Sequence, residues 1–169
     1  MKRVALSPVR LTQENFARFG VVLEAKNAQR IRINEGTTER FHALATLDVA
    51  YEGGAPILSI FRATARAAPI KIAMMERHPL GSQAFYPLQK ANWLVVVSAA
   101  EKPAPDNLEA FLASGDQGVQ YARNVWHHPL LLLEQTQDFL VADRDGPGEN
   151  LEEVWFDDAA AFLETPDIA

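Results

Sequence analysis

Apolar and polar positions change rhythm several times along the chain. Thr12 to Phe19 carries the first helical pattern: Thr12 can serve as N-cap, Phe16 and Phe19 share one face, and Gly20 can end the helix. From there the pattern turns to strands. Ile57-Leu58-Ser59-Ile60-Phe61-Arg62-Ala63-Thr64, Ala84-Phe85-Tyr86-Pro87-Leu88 and Trp93-Leu94-Val95-Val96-Val97 are short, β-rich runs. Leu130 to Leu133 and Phe139 to Ala142 predict a strand pair around the polar stretch Glu134-Gln135-Thr136-Gln137-Asp138. Two more helices are expected. Asp106 to Glu109 fits a capping box, with Leu108, Phe111 and Leu112 as the buried face and Gly115 as the stop. Leu151 to Leu163 predicts a closing helix with Trp155, Ala159 and Phe162 on one side. Many short strands, few helices and ten prolines suited to turns and edges point to a mainly β sandwich or barrel.

At 169 residues the chain predicts one domain, residues 1–169. No apolar run is long enough to span a membrane, and the start, Met1-Lys2-Arg3-Val4-Ala5-Leu6-Ser7-Pro8, has no long apolar segment behind its basic residues, so no secretory signal is expected. The absence of cysteine rules out disulfides, thiolate ligands and a cysteine nucleophile, and is compatible with the cytoplasm. A net charge of −6 argues against a nucleic-acid surface, though a few arginines in a pocket can still bind a small acid.

Chemistry concentrates in two segments. Three of the four histidines lie in Glu76-Arg77-His78-Pro79-Leu80-Gly81-Ser82-Gln83 and in Arg123-Asn124-Val125-Trp126-His127-His128-Pro129. Alternate residues of a strand share a face, so Glu76 and His78 can point together, while His127 and His128 should point apart, with one of them in the pocket. Imidazole plus carboxylate suits a divalent metal such as Zn, Fe, Ni or Mn, and equally suits proton transfer without one. A single histidine beside a proline is often only a strand-end residue; two clusters make a site the better reading. Asp143-Arg144-Asp145-Gly146 lacks the remaining spacing of a calcium loop and reads as a turn, as does Gly53-Gly54. Trp93, Trp126 and Trp155 read as core or interface aromatics.

Glu76-x-His78-x4-Gln83 resembles the first cupin motif, His-x-His-x4-Glu, with Glu for the first His and Gln for the last Glu, and Trp126-His127-His128-Pro129 resembles the second. The likeness then narrows. These two segments, with Ile33-Asn34-x-Gly36-x-x-Glu39-Arg40-Phe41-His42, Gln117-Gly118-Val119-x-Tyr121-x-Arg123 and Asp138-Phe139-Leu140 before Asp143-Arg144, are very similar to the bacterial ureidoglycolate lyases. That resemblance implies a cupin-like double-stranded β-helix (jelly-roll barrel), cleavage of (S)-ureidoglycolate to glyoxylate and urea in allantoin breakdown, a homodimer and a cytoplasmic setting. It also suggests a divalent metal, nickel having been associated with the family.

Ureidoglycolate carries a carboxylate, a hydroxyl and a urea nitrogen on one carbon. Its cleavage needs a base at the hydroxyl, an acid at the nitrogen and a cation at the carboxylate. His78, His127 and Glu76 are the candidates for acid/base work or for metal ligation, with Gln83 as a weaker, uncharged ligand or a partner of the urea group. Arg62, in an otherwise apolar strand, is the first candidate carboxylate clamp, with Arg77 and Arg40 as alternatives and Asn124 as a further substrate contact. His42 reads as a dimer contact rather than a site residue. Two other outcomes stay open: a ureidoglycolate hydrolase releasing ammonia and CO2, and a non-catalytic cupin that binds a small carboxylic acid.

Overall fold

The computed structural model describes residues 2–133, 136–157 and 159–164. Met1, Glu134, Gln135 and Asp158, on which three of the element and segment readings touch, lie outside them. The chain is mainly β, with two sheets facing one another across a core, their pairs antiparallel except where Glu109–Ala113 meets Val9–Arg10. The larger sheet runs in the order Glu152–Trp155, Met74–Arg77, Trp126–His127, Trp93–Ser98, Glu109–Ala113, Val9–Arg10, and Leu131–Leu132 also pairs with Trp93–Ser98. The five-stranded sheet runs Gly20–Leu23, Gly118–Tyr121, Gln83–Pro87, Thr136–Asp145, Ala55–Thr64. A three-stranded sheet of Lys2–Leu6, Ala159–Leu163 and Ile70–Ile72 backs the larger one.

Side-chain alternation explains the layering. Trp93, Val95 and Val97 face the core between the two main sheets, against Phe85, Val119, Phe139 and Val141. Leu94 and Val96 belong to a second core with Ile72, Met75, Ala161 and Leu163. A strand buried on both faces has no polar face to show, so its sequence is one continuous apolar run. The first helix closes the bottom of the main core. Gln13–Phe16 is capped by Thr12, whose side chain accepts from the Asn15 amide while Asn15 returns a bond to the Thr12 amide.

Three sequence expectations are corrected. Glu109–Ala113 is a strand, not a helix, because Phe111 and Ala113 enter one core while Leu108, Ala110 and Leu112 enter the other. The expected closing helix is two strands, Glu152–Trp155 and Ala159–Leu163, drawn into pairing with Met74–Arg77 and with Lys2–Leu6. Leu131–Leu132 and Thr136–Asp145 do not pair with each other; they lie in different sheets. The strands expected at 57–64, 84–88 and 93–97 are present with slightly different ends. No helix among the described residues is long and apolar enough to cross a membrane.

Candidate active site

The two motif segments meet at one mouth of the main core. Glu76 lies on Met74–Arg77 and is paired in register with His127 of the neighbouring strand, while His78 follows directly after. Oε1 of Glu76 is 3.5 Å from Nε2 of His127 and 3.9 Å from Nε2 of His78. The two imidazole centroids are 5.3 Å apart. From the facing sheet, Tyr121 stacks on His127 at 4.1 Å and 9°, fixing the plane of that ring. His128 is buried outside this trio with Nδ1 on the Pro129 carbonyl, so His127 is the member that joins the site.

Both site imidazoles have a fixed tautomer. Nδ1 of His78 donates to the Asn150 carbonyl at 2.7 Å, and Nδ1 of His127 donates to the Val125 carbonyl at 2.9 Å. Neutral rings held this way present a bare lone pair at Nε2. Both Nε2 atoms are sealed from solvent without a hydrogen-bond partner. Two lone pairs and a carboxylate oxygen thus converge on one point, which is repulsive unless a proton or a cation lies between them. Ligand atoms ~2.1 Å from an ion lie roughly 3–3.5 Å from one another, and here Glu76 stands 3.5 and 3.9 Å from the two rings, with all three atoms within 4.8 Å. Two imidazoles and a carboxylate, each Nδ1 anchored to a backbone carbonyl, fit a divalent transition metal.

The electrostatics are consistent. Burial pushes Glu76 up, but the imidazoles beside it, His127 first and then His78 and His128, outweigh it and hold the carboxyl below its ordinary range. Burial and the neighbouring His127 push His78 down, against the Asn150 carbonyl, Glu76 and Asp143. Burial pushes the Tyr121 hydroxyl up, so it stays neutral.

Gln83 reaches the site from the opposite sheet. It borders, with Glu76, a cavity of about 550 Å3 also lined by Phe61, Arg62, Arg66 and Phe85. Its Nε2 donates to Oδ2 of Asp143 at 3.2 Å, which turns the amide so that Oε1 is the free atom, and that oxygen is buried without a partner. Asp143 was expected in a turn. It instead belongs to the long Thr136–Asp145 strand, and the turn starts after it. Its neighbour Arg144 is buried and donates to the carbonyls of Tyr51, Glu52 and Pro147, pinning this strand end. Gly54 leaves room for it: a Cβ there would lie 2.2 Å from Arg144 Nε.

The remaining candidates scatter. Arg62 forks onto Asp138 at 2.7 and 2.9 Å and is largely exposed. Arg77 pairs with Glu152 and lies over the Trp126 ring. Asn124, at φ 68°, donates its backbone N–H to the His78 carbonyl and so braces the site from behind. Arg40 and His42 lie on a hairpin, Gln29–Ile33 with Thr38–His42, that pairs with no other strand among the described residues. Asp143, Asn150, Tyr121 and Arg66 escaped the sequence reading. Only Tyr121 and Asp143 stood in segments of the resemblance, and neither carried a motif that marks a site.

The family description "Ureidoglycolate lyase" matches residues 3–163. The chain belongs to the ureidoglycolate lyase family. It is 56% identical to a ureidoglycolate lyase of Rhizobium etli (strain CIAT 652) over 87% of this chain and 89% of that protein. It is 54% identical to one of Brucella melitensis biotype 2 (strain ATCC 23457), over 94% of each. Among solved structures it is similar to a dTDP sugar isomerase of Desulfovibrio desulfuricans G20, with TM-score 0.45 and 16% identity over 81% of this chain and 84% of the other. A likeness that slight bears on neither substrate nor chemistry.

Proposed function

We propose that this family member cleaves ureidoglycolate to glyoxylate and urea, as a carbon–nitrogen lyase of the amidine-lyase type. The observation that carries the reading is the convergence of Glu76 Oε1, His78 Nε2 and His127 Nε2 on one buried point beside a cavity. In the reaction the substrate's O–H and C–N bonds break, a C=O forms, and the hydroxyl proton ends on the departing urea nitrogen; no water is consumed. Glu76, held below its ordinary range, is suited to accept that proton, and His78, whose charged form burial disfavours, is suited with its neighbour His127 to pass it on. The same three residues, with Gln83 Oε1 beside them, would hold a divalent ion, nickel being the one the resemblance suggests. Such an ion would supply Lewis acidity that lowers the pKa of the substrate hydroxyl. The rest falls to the chain: Asp143 keeps the Gln83 amide turned toward the site, where its oxygen can meet the ion or an N–H of the urea group.

The test is incubation of purified protein with racemic ureidoglycolate, with and without chelator, following urea and glyoxylate. Urea is expected. Ammonia and CO2 instead would make the protein a hydrolase, and saturable glyoxylate binding without turnover would make it a carrier or sensor. Turnover lost to chelator and restored by one metal assigns the trio to metal holding; turnover that survives assigns it to direct proton transfer.

A homodimer and a cytoplasmic role in allantoin breakdown belong to the same proposal. Two features support the dimer. Leu58, Ile60, Tyr86 and Leu140 stand side by side, exposed, on the five-stranded sheet's outer face. The Gln29–His42 hairpin forms a sheet of its own, and an isolated hairpin is marginal in water unless something covers it.

A further inference from the structure

We propose that Arg66 binds the substrate carboxylate and so makes the site selective for an acid over its uncharged analogues; the assignment of the ligand rests on the lyase reading above. Two guanidinium groups border the cavity that Glu76 and Gln83 line, Arg62 and Arg66. Arg62 already holds a carboxylate: both oxygens of Asp138 accept from it in a two-pronged pair. A substrate would have to displace Asp138 to use it. Arg66 has neither an ion pair nor a hydrogen bond among the described residues, and its side chain is exposed at the rim.

Its position is defined nonetheless. Ala65, next to it, packs against the core between the sheets, and Pro129 and Leu130 form the adjacent wall. The cation therefore lines the same cavity as Glu76 and Gln83, exposed at the rim where Glu76 is half-buried and Gln83 buried.

That order matches the substrate. Its carboxylate and hydroxyl share a carbon, so a molecule whose hydroxyl meets the trio must extend its carboxylate a bond or two away. A carboxylate pointed at Glu76 would be repelled. Pointed at the rim, it meets a permanently charged, planar group able to give two parallel hydrogen bonds. On a chain of net charge −6 a local cation is also what draws a small anion to the mouth.

The experiment compares the full-length wild type with Arg66→Gln, Arg66→Lys and Arg62→Gln. Turnover kinetics are measured alongside calorimetric binding of glyoxylate and of urea. Arg66→Gln should raise KM and the glyoxylate dissociation constant together by about 10- to 100-fold, the usual weight of a charged hydrogen bond. It should lower kcat less and leave urea binding and the melting temperature unchanged. Arg66→Lys should fall between. Raising salt should weaken glyoxylate binding to the wild type more than to Arg66→Gln. Wild-type glyoxylate affinity in Arg66→Gln overturns the proposal, and so does a loss that appears in Arg62→Gln instead. A wild type that binds glyoxylate but forms no urea would sink the lyase reading alone, and the Arg66 comparison would still be decided by binding.

Discussion

An imidazole whose Nδ1–H is held by a carbonyl has one atom left for chemistry, and in His78 and His127 that atom faces Glu76. Removing either ring, or the charge of Glu76 by Glu76→Gln, should therefore reduce turnover by about 10²-fold or more. Circular dichroism should be unchanged in the Glu76 and His78 variants, and for His127, buried against Tyr121, His127→Gln should lose turnover beyond any loss of melting temperature; wild-type rates in any one variant would remove that residue from the mechanism. His128 behaves differently. Burial, with Arg66 and His127, pushes it down to about 4, against a ring value near ~6.5 in the unfolded chain. The unfolded state then binds its proton first. Stability from this group is complete above the unfolded value and falls as pH drops through it toward 4, by on the order of 2 kcal/mol between pH 7 and pH 5. Urea unfolding at both pH values should show His128→Gln losing less stability than the wild type by about that amount; equal losses would mean the ring is not buried neutral. At this scale the sequence brought Glu76, His78 and Gln83 forward through strand alternation and motif spacing, while which of His127 and His128 joins them is decided only by the pairing of His127 with Glu76. Asp143 and Arg66 were hidden: their roles come from pairing between distant strands, which no local spacing records.

At the scale of elements, legibility depended on how many faces a strand buries. The Trp93–Ser98 run was readable because Val, Trp and Leu in an unbroken stretch of that length favour a strand. Glu109–Ala113 was misread because the unbroken apolar run from Ala110 to Ala113 can be matched to helical spacing as well as to alternation. Ala159–Leu163 was misread because alanine favours helix locally, whereas pairing to Lys2–Leu6 on one side and Ile70–Ile72 on the other decides the outcome. The Ala55–Thr64 strand poses the opposite problem. Its alternation was legible, yet its outer positions Leu58 and Ile60 are apolar and exposed, 71% and 56%. A long apolar edge strand invites a partner. If that partner is a second copy, the wild type should sediment as twice 18.7 kDa, and Leu58→Asp with Ile60→Asp should weaken association by at least about 100-fold, given ~1.5–3 kcal/mol for each large side chain buried. A wild type that sediments at the single-chain mass would defeat the homodimer.

Across the whole molecule, the site occupies the seam between the two main sheets. Glu76, His78 and His127 come from the larger sheet, and Gln83 comes from the five-stranded one. An ion bound by all four would fasten the sheets at the mouth of their shared core and relieve the mutual repulsion of their lone pairs. Because the unfolded chain holds no such cluster, binding free energy would become folding free energy. Free ion at 100 times its dissociation constant should add about 2.7 kcal/mol. For a chain of this size that corresponds to roughly 5–10 °C in melting temperature. The shift should appear with one or more of nickel, zinc, manganese or ferrous iron, disappear on adding chelator, and be absent from the His78→Ala, His127→Ala double variant. Gln83→Ala should keep most of it if the larger sheet alone holds the ion, and lose a substantial part if the ion spans both sheets. Equal melting of the wild type with every ion and with chelator would leave the trio as acid and base groups without a metal, the turnover experiment then being expected to survive chelation as well.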